Sequence, residues 1–288
     1  MQTHAHDMTR RRLGEGLASL ALAVAAGGIA PLPAAAQSST PEAGQQPTGH
    51  DMSVTPPHWI GKEQIAFLIY PDFTALDMIG PHYMLTNLMG AKTHIVAKTK
   101  DPVKSDTGLV FVPSASFEDC PADLDILCVP GGTLGTLTAI RDEATIRFLK
   151  DRGSRAKFVT SVCTGSLVLA AAGLLDGYKA TSHWLTKALL SKFGAIPTEG
   201  RVVRDRNRIT GGGVTAGLDF GLGLVGELRD RNYAEGVQLL AEYDPQPPFN
   251  AGSPEKAPPE VKSMMDAMFV EFLKTAEATV LAARTAKP

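Results

Sequence analysis

Three short, mostly apolar runs constrain the fold of this chain more than any other feature. They cover residues 65–69, 125–129 and 158–162. Apolar runs of this length are typical of strands that are buried on both faces, as in a mostly parallel sheet. Helical stretches at residues 78–88 and 143–152 lie between them. This alternation predicts an α/β fold in which helices cover both faces of a mostly parallel sheet.

The remaining segments predict further elements of the same domain. Two β-excursions are expected at residues 104–112 and 201–210. Later helices are expected at residues 167–172, 184–193, 216–228, 233–243 and 261–283. Six prolines between residues 245 and 259 predict a loop, because proline removes a hydrogen bond from a helix interior and clashes with the preceding turn.

Residues 1–36 have the pattern of a twin-arginine export signal. Three arginines at positions 10–12 precede a weakly apolar run at residues 17–30, and alanines at positions 34–36 form an end typical of a cleavage site. A membrane anchor is the alternative, but the run is short for a span and is followed by two prolines. Removal of the signal predicts a periplasmic protein with no membrane attachment.

The chain after the signal divides into two parts. Residues 37–58 are rich in Ser, Thr, Pro, Gly and Gln, a composition that cannot bury enough apolar surface to order itself, and we expect a disordered linker. Residues 59–288 fit one domain with a single core. The formal net charge of -2 offers no field for holding phosphate backbones, which argues against nucleic acid as a partner.

The number and spacing of the cysteines and histidines limit the kinds of chemistry that this chain can perform. Three cysteines in 288 residues cannot form a disulfide framework, so at least one thiol is unpaired within the chain. The seven histidines are scattered, and neither a Cys-x-x-Cys nor a His-x-x-x-His spacing occurs. The sequence therefore predicts no metal and no cofactor.

Cys163 is the strongest candidate for a catalytic residue. It follows the third apolar run and precedes a predicted apolar helix, so the expected strand-turn-helix is a nucleophile elbow at the carboxyl edge of the sheet. A helix N-terminus stabilises a thiolate, which predicts a lowered pKa for this thiol. The alternative is that a small residue simply fits a tight turn. Cys120, in a loop, and Cys128, inside an apolar strand, fit that alternative.

The motifs around this elbow carry a resemblance to a known family. They lie at residues 162–177 and 180–184, and at residues 76–82, 130–133, 201–205, 210–220 and 247–254. The sequence resembles the DJ-1/PfpI superfamily of cysteine-elbow proteins, and within it the isocyanide hydratase branch. Regulators that fuse this domain to a DNA-binding one share some of the motifs. The resemblance implies a flavodoxin-like fold, related to that of class I glutamine amidotransferases, and a homodimer.

The resemblance also implies roles for individual residues. Asp77 is the acid that hydrogen-bonds the nucleophile, and a carboxyl beside a thiolate should have a raised pKa. As an Asp near the start of a predicted helix it is also a candidate N-cap. The Thr164 hydroxyl is expected to bond Asp77 or water. Apart from the resemblance, the glycine pair Gly131-Gly132 at a strand end lets the main chain approach closely, so the N–H groups of Thr164 and of this pair, Gly132 above all, are expected to stabilise developing negative charge. A tight βα turn is the alternative for the two glycines.

His183 is the rival for a catalytic role, because a Cys-His pair is a common route to an activated thiol. A structural histidine at the start of the helix predicted for residues 184–193 is the alternative. Glutamine amidotransferase chemistry is not expected, since no histidine follows this one. A helix-turn-helix module is not expected either, because only one helix is predicted after Pro259.

These residues favour hydration of a small apolar isocyanide to an N-substituted formamide. Attack by the Cys163 thiolate with protonation by Asp77 would give a covalent thioimidate, which water would then convert to the product. Two other hypotheses about the function stay open at this point. One is a glyoxalase- or deglycase-like enzyme for 2-oxoaldehydes that uses His183, and the other is a non-enzymatic module whose thiol responds to oxidants.

Overall fold

A computed structural model describes residues 55–285 of the chain. The predicted export signal and nearly all of the predicted linker lie outside the described residues. The end of the linker differs from expectation, because Pro57–Trp59 form a 3-10 helix and the rings of His58 and Trp59 hydrogen-bond the Asp230 carboxylate over 2.7 and 2.6 Å. This packed segment places the start of the folded domain before residue 59.

A seven-stranded sheet forms the centre of the domain. In spatial order its strands are β10 (Val202–Asp205), β11 (Arg208–Gly211), β7 (Phe158–Val162), β6 (Ile126–Val129), β1 (Gln64–Leu68), β2 (Lys92–Ala97) and β5 (Ala115–Ser116). Every neighbouring pair is parallel except β10 and β11. The three apolar runs are β1, β6 and β7, which lie side by side in the middle and are almost wholly buried. The expected α/β fold with a mostly parallel sheet is confirmed.

Two groups of helices flank the sheet. Helix α1 (Ala75–Thr86) packs against α5 (Ala216–Leu228), and α5 also packs against α6 (Arg231–Leu240). Helix α2 (Thr133–Arg141) packs against the second group, which comprises α3 (Glu143–Arg155), α4 (Gly165–Ala171) and α8 (Val270–Thr285). Helix α7 (Pro259–Met268) precedes α8. No helix within residues 55–285 is both long enough and apolar enough to cross a bilayer.

The remaining four strands form two pairs, and each strand has two residues. They are β3 (Val103–Lys104) with β4 (Val110–Phe111), which form an antiparallel hairpin, and β8 (Lys179–Ala180) with β9 (Ile196–Pro197), which are parallel. The hairpin and the β10–β11 pair correspond to the two expected β-excursions. Strand β2 and helix α2 had no counterpart in the prediction, because neither has a distinctive apolar period.

Two predicted helices are wrong. The helix expected at residues 261–283 is interrupted at Phe269, so α7 and α8 are separate helices and two helices, not one, follow the proline-rich loop. The helix expected at residues 184–193 is a turn followed by a 3-10 helix, Lys187–Phe193, which ends at Gly194 in the left-handed region. Apolar spacing alone does not distinguish a 3-10 helix, or a one-residue break, from a continuous α-helix.

The chain order places a crevice at the centre of the sheet. After β1 the chain passes to β2 on one side, and it later returns to β6 on the other side of β1. In open α/β sheets a crevice forms outside the carboxyl ends of the strands where the order reverses in this way. Here it lies between the segments that follow β1 and β6, next to the segment that follows β7.

Candidate active site

Cys163 lies directly after β7, at the carboxyl edge of the sheet. It is one of four described residues other than glycine with a positive φ, which is 56°. A non-glycine residue in this region costs on the order of 1–3 kcal/mol and persists only where its surroundings hold it. Its N–H donates to the Gly211 carbonyl over 3.0 Å, and its carbonyl accepts from the hydroxyls of Ser166 and Ser182 over 3.1 and 3.2 Å. The strained turn is the nucleophile elbow that the sequence predicted.

Asp77 lies in the first turn of α1, on the other side of the crevice. Thr74 occupies the N-cap position, so the prediction that Asp77 caps this helix is wrong. Its carboxyl is fully buried, and Oδ2 accepts the N–H of Gly131 over 2.8 Å. Oδ1 has no hydrogen-bond partner among the described residues. A buried carboxyl with one unpaired oxygen is a candidate for a reactive group.

The environment of Asp77 favours its protonated form. Burial raises the pKa of the carboxyl to about 8, and the negative charge of Asp106 adds to this effect. The Gly131 N–H and the nearby Cys163 thiol act in the opposite direction on the same pKa. The raised pKa expected for this acid agrees with the structure, but its main cause is burial, because the Cys163 thiol lowers the pKa of Asp77.

The thiol of Cys163 differs from expectation. Its pKa lies well above the ordinary value, because the sulfur is buried and because Asp77 and Asp106 are negative. The Thr164 N–H and hydroxyl lower the pKa of this thiol, as a helix N-terminus should, but α4 has only seven residues and its effect is the smaller one. The pKa of the thiol and the pKa of the Asp77 carboxyl are both raised, so burial favours the neutral form of each group.

Thr164 belongs to a buried chain of hydroxyl groups. Its Oγ1 lies 2.7 Å from Oγ1 of Thr136 and accepts the Gly132 N–H over 3.0 Å. Thr136 in turn lies 3.4 Å from the hydroxyl of Tyr70, which donates to the Pro130 carbonyl over 2.6 Å. The Thr164 hydroxyl also lies 3.3 Å from the Gly132 carbonyl, to which it can donate, and it lowers the pKa of the Cys163 thiol as well. Thr136 and Tyr70 belong to no local motif, so their part in the site could not be predicted from the sequence.

The Gly131-Gly132 pair lets α2 and the elbow approach closely. A Cβ added at Gly131 would lie 2.5 Å from the Thr164 hydroxyl oxygen and 2.9 Å from Oδ2 of Asp77. Both N–H groups are already used, Gly131 towards Asp77 and Gly132 towards Thr164. Their expected part in stabilising developing charge stays a prediction, and it would require these bonds to be exchanged for bonds to substrate.

His183 takes part in local bonds only. Its Nδ1 accepts the Leu185 N–H over 3.4 Å and its carbonyl caps the following turn, and no hydrogen bond between described residues joins it to Cys163 or Asp77. Burial lowers the pKa of its ring. The structural alternative agrees better with this arrangement. Cys120 and Cys128 are also buried, and burial raises the pKa of Cys128 to about 12.

Asp106 is a charged residue that the sequence analysis did not single out. It lies at the tip of the β3–β4 hairpin, is exposed, and raises the pKa of both Cys163 and Asp77. Its Oδ2 accepts the Thr74 hydroxyl over 2.7 Å. No sequence pattern could reveal it, because only tertiary packing brings the hairpin to the crevice.

A separate cavity of about 570 Å³ lies beside this region. Its lining comes from the ends of β1 and β2, the start of the hairpin and one side of α2, and includes Tyr70 but not Cys163. Residues 55–285 contain no cluster of three or more His, Cys, Asp or Glu that could hold a metal ion. The functional groups that the described side chains place at the site are a thiol, a carboxyl and several hydroxyls.

The fold and the site define an α/β protein with a cysteine elbow and a buried thiol–carboxyl pair. The model of the DJ-1/PfpI family matches residues 63–227. An isonitrile hydratase of Pseudomonas putida is 51% identical over 198 residues, which cover 69% of this chain and 86% of the hydratase. This chain belongs to the DJ-1/PfpI family.

Two further comparisons give the extent of the likeness. The crystal structure of a ThiJ/PfpI family protein from Pseudomonas syringae has 59% sequence identity and a TM-score of 0.77, and the match covers 83% of this chain and 98% of that one. The HTH-type transcriptional regulator GbdR of Pseudomonas aeruginosa is 30% identical over 66% of this chain and 53% of its own length. This chain therefore spans about half of the regulator.

Proposed function

We propose that the protein is an enzyme that hydrates an isocyanide to an N-substituted formamide at Cys163. The observation that carries the proposal is the pairing of an elbow thiol with a buried carboxyl that has one free oxygen. The 51% identity to an isonitrile hydratase over most of that enzyme supports the same reaction. The site offers its own acid and base, so this hydration needs no group beyond water.

The reaction begins from the singly protonated pair, thiol and carboxylate. Asp77 takes the thiol proton as the sulfur of Cys163 attacks the terminal carbon of R–N≡C, and it returns that proton to the same carbon. The product is a thioimidate, R–N=CH–S–Cys163. The Thr164 N–H and hydroxyl lower the pKa of the thiol and so favour the loss of its proton during attack.

Water completes the reaction. It adds to the thioimidate carbon with Asp77 as base, the nitrogen gains a proton, and the C–S bond breaks to release R–NH–CHO and restore the thiol. Each step moves a proton between groups that contact the same crevice, so atoms and charge balance without an oxidant or reductant. The covalent intermediate is part of the proposal.

The experiment is formamide release from a simple aromatic isocyanide by the purified protein lacking residues 1–36. We expect turnover by the wild type, none by Cys163→Ala, and near-normal turnover by His183→Ala. Mass spectrometry of the reaction quenched in acid should show the thioimidate on Cys163. Formamide release by Cys163→Ala would contradict the covalent route. Methylglyoxal turnover that His183→Ala abolishes would instead support the 2-oxoaldehyde reading.

The export route and the homodimer are also proposals. The three arginines at positions 10–12 and the alanines at 34–36 support export to the periplasm. Fractionation of cells that express the full chain, beside a variant with two of the arginines changed to lysine, tests the export. Light scattering of the mature protein tests the dimer, and a monomer at micromolar concentration would contradict it.

A further inference from the structure

The β3–β4 hairpin is fixed to the turn that positions Asp77. The Asp106 N–H donates to the Phe73 carbonyl over 3.0 Å, and its Oδ2 accepts the hydroxyl of Thr74, the N-cap residue of α1. The Thr74 N–H donates to the Gly131 carbonyl over 2.8 Å, while the Gly131 N–H donates to Asp77. A short series of hydrogen bonds therefore holds Asp106 at a defined position beside the catalytic pair.

The charge of Asp106 acts on three groups of the site. Asp106 acts on Cys163, Asp77 and Tyr70, and raises the pKa of each. The cation on the hairpin is Lys104, whose side chain runs beside the glycine of the turn, Gly108. Asp106 is exposed to solvent, and its charge acts on both Cys163 and Asp77. A fixed charge in such a place attracts or repels a reagent before any contact is made.

We propose that Asp106 is a specificity-determining residue that directs this site towards neutral or cationic isocyanides and excludes those bearing a carboxylate. The proposal rests on the proposed hydration for its substrate class. The electrostatic part can be measured at Cys163 without any isocyanide. Selection acts by repulsion of the wrong substrate rather than by a contact with the right one.

The first test is the alkylation of Cys163 by neutral iodoacetamide and by anionic iodoacetate, followed by mass spectrometry of the peptide. Asp106→Asn should raise the iodoacetate rate relative to the iodoacetamide rate about three- to tenfold at low salt. A change in the pKa of the Cys163 thiol alters both alkylation rates equally, because both reagents react with the same thiolate. It therefore cancels in the ratio of the two rates. The effect should shrink in 1 M salt, because an exposed charge is screened.

Asp101→Asn is the matched control. Asp101 is an exposed aspartate just before the hairpin that accepts the Thr99 hydroxyl over 2.8 Å, and its neutralisation removes one charge without touching Asp106. We expect its alkylation ratio to equal that of the wild type. An unchanged ratio in Asp106→Asn, or an equal change in Asp101→Asn, would overturn the proposal.

The second test compares formamide release from a neutral isocyanide and from isocyanoacetate. Asp106→Asn should improve kcat/KM for isocyanoacetate relative to the neutral compound by the same factor as in alkylation. If neither isocyanide is turned over by the wild type, the proposed hydration fails while the alkylation ratio still decides the role of Asp106. Equal preference for both substrates in the wild type would contradict the exclusion of carboxylates.

Discussion

The Gly131 N–H donates to Oδ2 of Asp77 over 2.8 Å, while Oδ1 of the same carboxyl has no partner among the described residues. This bond joins the turn after β6 to helix α1 and leaves one oxygen for proton transfer. Because burial raises the pKa of Asp77 to about 8, its charge appears above neutral pH. The pair then carries one proton, which is the form that the proposed reaction needs.

We therefore expect kcat/KM for the isocyanide to rise with pH through about 8. Asp77→Asn should abolish turnover, because no group takes the thiol proton. The same substitution should move the pH midpoint of Cys163 alkylation downward, since it removes a negative charge that disfavours the thiolate. Stopped-flow alkylation across pH measures this shift. An upward shift would mean that Asp77 stabilises the thiolate, contrary to the structure.

The same pKa predicts how Asp77 affects stability. In the unfolded chain an Asp ionises near pH 3.8, while in the folded protein this one stays protonated up to about pH 8. The unfolded state binds fewer protons in this window, so Asp77 lowers the free energy of unfolding by about 1.4 kcal/mol per pH unit as pH rises. Urea unfolding of wild type and Asp77→Asn should show their difference growing from pH 4 to 8. A constant difference would contradict a raised pKa.

Gly131 has no room for a side chain. A Cβ there would lie 2.5 Å from Oγ1 of Thr164 and 2.9 Å from Oδ2 of Asp77, so Gly131→Ala must displace one or both. We expect at least a hundredfold loss of kcat/KM with the fold retained, measured by formamide release and circular dichroism. Gly223→Ala is the control, because nothing lies within 4 Å of that position and alanine favours the helix by about 0.5–1 kcal/mol.

Thr136 acts as a positioning residue through Thr164. Its hydroxyl lies 2.7 Å from that of Thr164, and a proton donated along this bond would leave the Thr164 proton free to turn from the Gly132 carbonyl to the sulfur. Thr136→Val keeps the shape and removes the donor, and should raise the pH midpoint of Cys163 alkylation and lower kcat several-fold with little change in KM. Thr136→Ser should restore both. If Thr136→Val changes only the melting temperature, the residue is merely structural.

Glu63 and Arg229 form a nearly buried ion pair between the start of β1 and the end of α5. The side chains are 11% and 2% exposed, and their closest atoms are 2.6 Å apart. Removing one partner leaves an uncompensated buried charge, so Glu63→Gln should cost about 3 kcal/mol in free energy of unfolding. Glu235→Gln is the matched control, because its pair with Arg231 is exposed and should contribute less than about 0.5 kcal/mol.

The sequence by itself determined the elements that depend on local patterns. Continuous apolar runs specify β1, β6 and β7, because a strand buried on both faces admits few polar residues. The elbow at Cys163 was also predictable, because a strand, a small-residue turn and an apolar helix follow one another directly in the sequence. Short or weakly periodic elements such as β2 and the 3-10 helix Lys187–Phe193 were not.

Only the tertiary structure decided which groups act on the thiol and with what sign. The sequence placed Cys163 at a helix N-terminus and so predicted a lowered pKa, whereas burial and the charges of Asp77 and Asp106 raise it. Thr136 and Asp106 reach the crevice from α2 and from a hairpin distant in the chain. The burial of a group and the charges around it depend on every element packed against it. A local pattern of residues does not contain that information.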